Sequence, residues 1–218
     1  MAAQSLVPAA ATVDHLLLGA ADLDAAITWF EAKSGVRAVP GGSHPGAGTR
    51  NALASLGGRC YLEIIAPDPA QNTYNSRFDV RGLATPRMIT WAATTKNVDA
   101  LLARARAAGL MATGPNTGTR ARPDGRVLKW RIATVQSQLT IGVFDPLPFF
   151  IEWDRASVHP STDSPRGCEL QSLEVKHPHA EAVAATLQRL GIELAVTPGA
   201  AFELRAVLSS PRGKVEMF

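Results

Sequence analysis

A carboxylate interrupts an apolar strand pattern at residues 61–65, which read YLEII. Side chains alternate between the two faces of a strand, so Glu63 shares a face with Tyr61 and Ile65, and the other face is entirely apolar. The apolar face is predicted to lie under a helix. Glu63 is then expected to point into a concave space, where a carboxylate has a partner or moves a proton.

The loop before this strand, HPGAGTRN at residues 44–51, combines glycines with hydrogen-bonding side chains. Gly46 and Gly48 permit positive φ and a close approach to the backbone. Arg50 can hold an anionic group in a bidentate contact, and the alternative is an ion pair within the protein. The predicted substrate contacts of the loop are its polar side chains: His44, Thr49, Arg50 and Asn51.

Two further substrate contacts are predicted in the middle of the chain. Arg131 belongs to a basic stretch in which it shares one strand face with Lys129, so these charges either reach the concave space or are solvated. Trp91 is predicted to form an aromatic wall of the site, and the alternative is a place in the core.

An internal repeat organises the chain. Each of three segments has a strand-like run, a polar break and a helical pattern that ends at a glycine: Gly35, Gly109 and Gly191. When His15, Thr90 and Ser172 are aligned, an acidic residue follows nine positions later in every segment: Asp24, Asp99 and Glu181. An acidic side chain suits the start of a helix and a glycine suits its C-terminal cap, so each segment is predicted to contain one helix.

Each segment closes on a strand with one glutamate among apolar neighbours: Glu63, Glu152 and Glu216. The repeat predicts an α+β fold of three β-α-β-β-β units at residues 13–66, 88–154 and 168–218, after a flexible N-terminal segment at residues 1–12. One such unit cannot bury both faces of its sheet. The first two units are therefore predicted to form a curled sheet with a central cup, and the third to pack as an accessory unit.

Composition narrows the class of protein. With 218 residues, 46% hydrophobic residues and a net charge of +3, the chain predicts a globular protein without the basic field of a nucleic-acid-binding surface. No apolar run approaches a membrane span or a signal peptide. Cys60 and Cys168 do not make a disulfide framework. The expected location is the cytoplasm, the expected partner is a small molecule, and a homodimer is compatible with the sequence.

Several stretches together resemble the vicinal oxygen chelate superfamily, which includes glyoxalase I, ring-cleaving dioxygenases and bleomycin-resistance proteins, and in particular its glyoxalase-like domain branch. They are VDH at 13–15, HPGAGTRN at 44–51, YLEII at 61–65, TWA at 90–92, RPDG at 122–125, LKWR at 128–131, LPFFIEW at 147–153 and HP at 159–160. The resemblance extends from about Val13 to the C-terminus.

The resemblance implies where a metal would be held. Four positions, from the first and last strands of two units, correspond to His15, Glu63, Thr90 (or its neighbour Trp91) and Glu152. The implied metal ligands are His15, Glu63 and Glu152, with Glu63 and Glu152 also the implied catalytic residues. The cofactor is then one divalent metal ion (Mn, Fe, Ni or Zn) or none, because Thr90 offers only a neutral hydroxyl.

Two functional hypotheses follow. The leading one is a glyoxalase-type lyase or isomerase acting on a small oxygenated, anionic molecule. The alternative is a metal-free protein that binds or sequesters a small molecule, as the antibiotic-resistance members of the superfamily do. Both predict that His15, Glu63 and Glu152 share one cavity, and that Glu216 lies away from it.

Overall fold

The computed structural model describes Val7–Pro8 and residues 12–218. Most of the predicted flexible segment, residues 1–12, lies outside the described residues. A short strand, β1 (Val7–Pro8), pairs in parallel with β11 (Ile192–Glu193). No helix in the described part of the chain is long and apolar enough to cross a membrane.

Two β-α-β-β-β units are followed by a third unit of related order, in which four strands come after the helix. The first contains β2 (Val13–Gly19), α1 (Leu23–Ser34), β3 (Val39–His44), β4 (Thr49–Ser55) and β5 (Tyr61–Pro67). The second contains β6 (Arg87–Thr94), α2 (Val98–Ala107), β7 (Ala112–Ala121), β8 (Val127–Val135) and β9 (Phe149–Trp153). After a 3₁₀ turn (Pro160–Thr162), the third contains β10 (Glu169–His177), α3 (Ala180–Arg189), β11, β12 (Ala195–Pro198), β13 (Glu203–Ser210) and β14 (Gly213–Met217).

The helix ends follow the signals in the sequence. Asp22 caps the N-terminus of α1, where its carboxylate accepts a hydrogen bond from Ala25 N at 2.9 Å. Gly35 ends the same helix with φ of 78°, a conformation that glycine adopts without strain, and its N–H donates to Glu31 O at 2.8 Å. Asn97 caps α2 in the way that Asp22 caps α1.

The first two units form one eight-stranded sheet in the order β3-β4-β5-β2-β6-β9-β8-β7, joined by the antiparallel pair β2–β6. The sheet curls until its edge strands meet. Gly42 of β3, with φ of 132°, lies so close to β7 that a Cβ atom there would be 2.5 Å from Ala121 O. The α+β fold with a curled sheet and repeated units is therefore confirmed.

The third unit closes the back of this sheet. Its strands form a separate sheet in the order β12-β10-β13-β14. Leu204 and Met217 of this sheet belong to the same buried cluster as Phe30 of α1 and Trp91 of β6. Met88 N also donates to Phe218 O at 2.7 Å. The large core thus lies on the helix side of the curled sheet, and the concave side has only a small buried cluster of its own around Leu17 and Ile65.

Glu216 lies where the repeat predicts it, away from the cup. Val215 and Met217 on either side are buried, and Glu216 points out of β14 to Arg205 and Lys214, both at 2.7 Å. The closing strand of the third unit therefore carries a surface ion pair in place of a site residue.

Candidate functional site

The curled sheet encloses a cavity of about 350 Å³, which we call the cup. Strands of both units line it, and the segment after β5 covers part of it with Asn75, Ser76, Arg77 and Phe78. This cover is anchored to the 44–51 loop, because Asn75 N donates to Ala47 O at 3.0 Å. The volume lies near the lower end of the ~300–1,000 Å³ range of small-molecule sites.

Glu63 is the central polar group of the cup. Its residue is only 7% exposed, and Asn51 Nδ2 donates to its Oε1 at 2.5 Å. His44 Nε2 lies 3.5 Å from the same oxygen, and His15 Nε2 lies 3.5 Å from Oε2. Arg120 Nη1 lies 4.0 Å from Oε1. One carboxylate is thus surrounded by two imidazoles, an amide and a guanidinium.

These neighbours keep Glu63 ionised. Burial alone would raise its pKa, but the charges of His44, His15 and Arg120 and the amide hydrogen bond lower it below the usual value. Burial lowers the pKa of His44 below its usual value. His44 Nδ1 lies 2.9 Å from Thr49 Oγ1. Arg120 adds a guanidinium, a group with donors and no acceptors, beside the same carboxylate.

A second carboxylate, Asp14, holds His15 from behind. The β2–β6 register shifts between Val13 and His15, and at this irregularity Asp14 Oδ1 accepts from His15 Nδ1 at 2.8 Å. Trp153 Nε1 donates to Asp14 Oδ2 at 3.0 Å, and His159 Nε2 lies 3.2 Å from the same oxygen. The proton on Nδ1 leaves Nε2 as the reactive nitrogen of His15, facing Glu63.

The environment of Asp14 fixes its charge. Burial would raise its pKa, yet the hydrogen bonds and charges of His15 and His159 lower it from 3.8 to about 2. His159 is itself buried, and its Nδ1 accepts from Ser161 N at 3.3 Å. Asp14 is therefore a permanent carboxylate that orients His15.

Tyr61 packs against this pair. Its ring stacks on His15 with centroids 4.6 Å apart and an angle of 21° between planes. Burial, and then the nearby charge of Glu63, raises the pKa of Tyr61 well above its usual value. The phenol is consequently neutral and lines the cup as a hydrogen-bond donor.

Arg120 lacks hydrogen-bond acceptors among the described residues. The residue is 3% exposed, and among the described residues its guanidinium has no hydrogen-bond acceptor, with Nε fully buried and unpaired. Its nearest charged neighbour is Glu63, at a distance beyond a hydrogen bond. A buried guanidinium without acceptors is costly, so this group is suited to bind an oxygen atom of a ligand.

The second unit supplies a largely apolar wall. Side chains that alternate along β8 and β9 face the cup: Trp130, Ile132, Thr134, Phe149, Ile151 and Trp153. Asn116 of β7 is the other neutral polar residue there. Among the described residues of β6, β8 and β9, no imidazole or carboxylate lines the cup.

Glu152 does not share the cup, so its predicted position is wrong. Phe149, Ile151 and Trp153 face the cup, and Glu152 therefore lies on the helix side of β9. Its Oε2 accepts from Val98 N at 2.8 Å, at the N-terminus of α2, where a carboxylate complements the helix dipole. The prediction failed because both faces of this strand are apolar in the sequence apart from Glu152 itself.

Three predicted substrate contacts also lie outside the cup. Trp91 is fully buried in the core on the helix side, and its Nε1 donates to Pro146 O at 3.4 Å. Arg131 donates to both oxygens of Asp99 on α2, at 2.8 and 2.9 Å. Arg50 pairs with Asp24 on α1 at 3.6 Å. For Trp91 and Arg50 the observed arrangement is the alternative, a place in the core and an ion pair within the protein, and Arg131 forms a part-exposed ion pair on the helix side.

The other residues of the 44–51 loop do lie at the site. His44 and Thr49 line the cup, and Asn51 contacts Glu63 directly. Gly46 and Gly48 have φ of 77° and 75°, as predicted. Their positions agree with substrate binding, although the role itself stays a prediction.

The sequence predicted no site role for Asp14, Tyr61, Arg120 or His159, although strand alternation placed Tyr61 on the face of Glu63 and Arg120 belongs to the basic stretch that contains Arg131. Asp14 is the neighbour of His15 in the chain, and an Asp-His pair is a signal that could have been used. Arg120 lies in the polar segment ATGPNTGTRA of β7, which has no alternation to assign its face. His159 lies 145 residues from Asp14, so only the fold brings them together.

The divalent metal implied by the resemblance does not fit these residues. Among the described residues, the second unit brings no imidazole or carboxylate to the cup. The buried cation Arg120 lies beside the one carboxylate that would hold a metal ion. Across residues 12–218, no three His, Cys, Asp or Glu side chains come together in a geometry for a metal ion.

Comparison with solved structures gives the fold. A hypothetical protein from Staphylococcus aureus aligns with a TM-score of 0.69 at 14% identity, over 88% of this chain and 87% of that one. A methylmalonyl-CoA epimerase from Mycobacterium tuberculosis aligns with a TM-score of 0.45 at 22% identity, over 72% and 93%. The methylmalonyl-CoA epimerase of Streptomyces coelicolor, in complex with 2-nitronate-propionyl-CoA, gives 0.46 and 21%, over 71% and 99%.

Comparison with curated proteins gave no match. The family is nevertheless defined, because residues 13–191 match the model of the glyoxalase-like domain, which spans both units that build the cup and reaches the end of α3. With its curled sheet and repeated units, the chain belongs to the glyoxalase-like domain family.

Proposed function

We propose that this protein is an isomerase or lyase that moves a proton on a small carbonyl compound held in the cup. The observation that carries the proposal is the arrangement around Glu63. An ionised, buried carboxylate faces a cavity beside an oriented imidazole and a guanidinium that has no hydrogen-bond acceptor among the described residues. These are a base, a proton-exchange partner and an electrophile within one small site.

The reaction step uses these groups in order. Glu63 takes a proton from the carbon next to the carbonyl group, so the C–H bond breaks and a carboxylic O–H bond forms. The electron pair moves to the carbonyl oxygen, and Arg120 donates hydrogen bonds to the resulting enolate. The proton then returns to a different carbon, to the oxygen, or to the other face of the same carbon, which isomerises the substrate; loss of a β-substituent from the enolate gives the lyase outcome.

His15 assists by exchanging the proton of Glu63. Its Nε2 lies 3.5 Å from Glu63 Oε2, and the carboxylate of Asp14 stabilises the ring when it is protonated. In this proposal Arg120 supplies the positive charge at the substrate oxygen, so no resident metal is required. The predicted catalytic role of Glu63 is retained, and that of Glu152 is not.

A binding protein is the second candidate, and the apolar wall of the second unit favours it. The side chains of β8 and β9 in that wall offer contact area to a ligand, and among the described residues they include no imidazole or carboxylate. A sequestering protein would bind a compound and return it unchanged. The expected small-molecule partner is common to both candidates, while the cytoplasmic location and the homodimer stay predictions.

Hydrogen exchange separates the two candidates. The protein would be incubated in D₂O with a panel of small ketones, aldehydes and hydroxy ketones, and the loss of each C–H signal followed by proton NMR. We expect exchange in at least one compound with the wild type, none with Glu63→Gln, and unchanged exchange with the control Glu216→Gln, which alters the corresponding residue of the third unit. Binding without exchange across the panel would contradict the enzymatic proposal and leave the binding protein.

A further inference from the structure

The two sides of the cup differ in polarity, and this difference indicates which kind of ligand fits. The first unit contributes His15, His44 and Glu63, and the second unit contributes aromatic and branched side chains. Trp130 and Trp153 contact each other with ring centroids 5.5 Å apart at 59°. A ligand that fills this space must have a polar end and an apolar body.

Arg120 marks the place of the polar end. It comes from the second unit but reaches across to Glu63, and its guanidinium has no acceptor among the described residues. Water in this narrow, apolar site is a poor substitute for an oxygen that is held in place. The ligand group that suits Arg120 is a carbonyl oxygen, which accepts two hydrogen bonds and gains charge if it becomes an enolate.

The charges of the cup disfavour an anionic ligand. Arg120 is the one guanidinium there without a hydrogen-bonded carboxylate, since Arg77, which also lines the cup, contacts Asp145. Glu63 already faces the charge of Arg120, and Asp14 lies behind His15. A carboxylate or phosphate on the ligand would meet two buried negative charges with one cation to compensate. Arg50, the arginine that suggested an anionic substrate, pairs with Asp24 outside the cup, and Arg131 pairs with Asp99 on the helix side.

We infer that the cup binds a neutral carbonyl compound with a flat or branched apolar body, whose oxygen is held by Arg120 and whose body lies against the Trp130–Trp153 wall. This inference rests on the proposed function, which assigns the cup as the substrate site, but it concerns binding alone. It names a substrate class: neutral aryl or branched-alkyl ketones, aldehydes and esters. Extended, highly charged substrates are excluded by the same observations.

Four small compounds separate the contributions of the oxygen, the charge and the apolar body of a ligand to its affinity. Acetophenone is a neutral aryl ketone, benzoate replaces its ketone with an anion, ethylbenzene lacks the oxygen, and acetone lacks the apolar body. Each would be titrated into ¹⁵N-labelled protein while the indole N–H signals are followed. Trp130 and Trp153 line the cup, and Trp29 on α1 lies outside it, so the shifts report both affinity and place.

We expect acetophenone to shift the signals of Trp130 and Trp153, leave that of Trp29 unchanged, and bind about tenfold more tightly than each of the other three probes. Arg120→Met should weaken acetophenone about tenfold and leave ethylbenzene unchanged. Arg131→Met, the control on the helix side, should change neither. Melting temperatures of both variants establish that they are folded, and Arg120→Gln replaces Arg120→Met if the latter is not.

Tighter binding of benzoate than of acetophenone would overturn the inference, and so would acetophenone shifts that persist unchanged in the Arg120 variant. Failure of the proposed function is a separate result. If acetophenone binds as described but no compound in the panel exchanges hydrogen, the ligand class stands and the enzymatic proposal does not.

Discussion

The two walls of the cup come from repeated units with the same fold, yet they differ in almost every property that matters for chemistry. The wall of the first unit holds Glu63 between His15 and His44. The wall of the second unit presents Phe149, Ile151 and Trp153 at the corresponding closing strand. The two repeated units therefore share strand order and helix caps, while the side chains that face the cup differ between them.

The two glutamates of the closing strands show how this difference arises. Glu63 faces the cup and is surrounded by groups that hold a proton or a charge. Glu152 lies on the opposite face of its strand and stabilises the start of α2. A change of one position along a strand moves a side chain from one face of a sheet to the other. The same residue type thus serves reaction chemistry in one unit and helix capping in the next.

Among variants of the second unit, the largest expected effect comes from the pair of arginines on neighbouring strands. Arg120→Met should lower kcat/KM for the compound found in the exchange assay by about 10²–10³-fold, because it removes the donor that stabilises the enolate oxygen. Arg131→Met should leave kcat/KM within about twofold, since the guanidinium of Arg131 pairs with Asp99 and Glu152 on the helix side. Equal losses in the two variants would show that the cup and the helix side are not functionally distinct.

A smaller loss of activity is expected when the residues that hold His15 in place are changed. Asp14→Asn should lower kcat and shift its pH profile, because the amide no longer stabilises protonated His15. His159→Gln should have a weaker effect in the same direction, and it should leave KM unchanged. A loss of activity in either variant without any change in the pH profile would assign these residues to folding alone.

Asp14 also makes a prediction about stability. Its pKa is about 2 in the folded protein and 3.8 ordinarily, so the folded state binds this proton less readily than the unfolded chain. The contribution of ~2–3 kcal/mol is therefore present above about pH 4 and lost as the pH falls toward 2. Urea unfolding of the wild type and Asp14→Asn should show a stability difference that narrows over this interval. A difference that stays constant from pH 6 to pH 2 would contradict the account of Asp14.

A still smaller effect is expected for the arginine of the 44–51 loop. Arg50 pairs with the exposed Asp24 on α1, so Arg50→Gln should change the free energy of unfolding by about 0.5 kcal/mol or less. Ligand affinity should not change. Weaker binding of an anionic ligand in this variant would restore the role that the loop suggested for Arg50.

Removal of metal is expected to have no effect. Elemental analysis of protein purified without chelators, then incubated with Mn²⁺, Ni²⁺ and Zn²⁺, should find well below one ion per chain. Treatment with a chelator should leave hydrogen exchange unchanged. One tightly bound divalent ion per chain would contradict the assignment of Arg120 as the electrophile.

The sequence was sufficient to predict what depends on local pattern. Strand alternation placed Glu63 in the cup, and the acidic residues and glycines at the helix ends located α1 and α2. The three repeats followed from those signals. His44 and Asn51 of the 44–51 loop lie beside Glu63 because the loop leads directly into the strand that pairs with β5.

What could not be predicted depends on register and on distant contacts. Residues 149–153 are apolar at four of five positions, so alternation does not determine which face Glu152 occupies. That face is set by the register of β9 with β8, where Glu152 lies opposite Arg131 and Ile151 opposite Ile132. Arg120 and His159 reach the site through β7 and the segment before the third unit, neither of which has a periodic signal.

The central claim is that the proton-moving groups lie on the wall of the first unit, and the matched variants Glu63→Gln and Glu152→Gln test it most directly in the hydrogen-exchange assay. Each replaces the glutamate of one closing strand with its neutral isostere. We expect Glu63→Gln to lose exchange by about 10²–10⁴-fold and Glu152→Gln to retain it within a few-fold while melting at a slightly lower temperature. Exchange that survives in Glu63→Gln, or that is lost equally in both variants, would contradict the account.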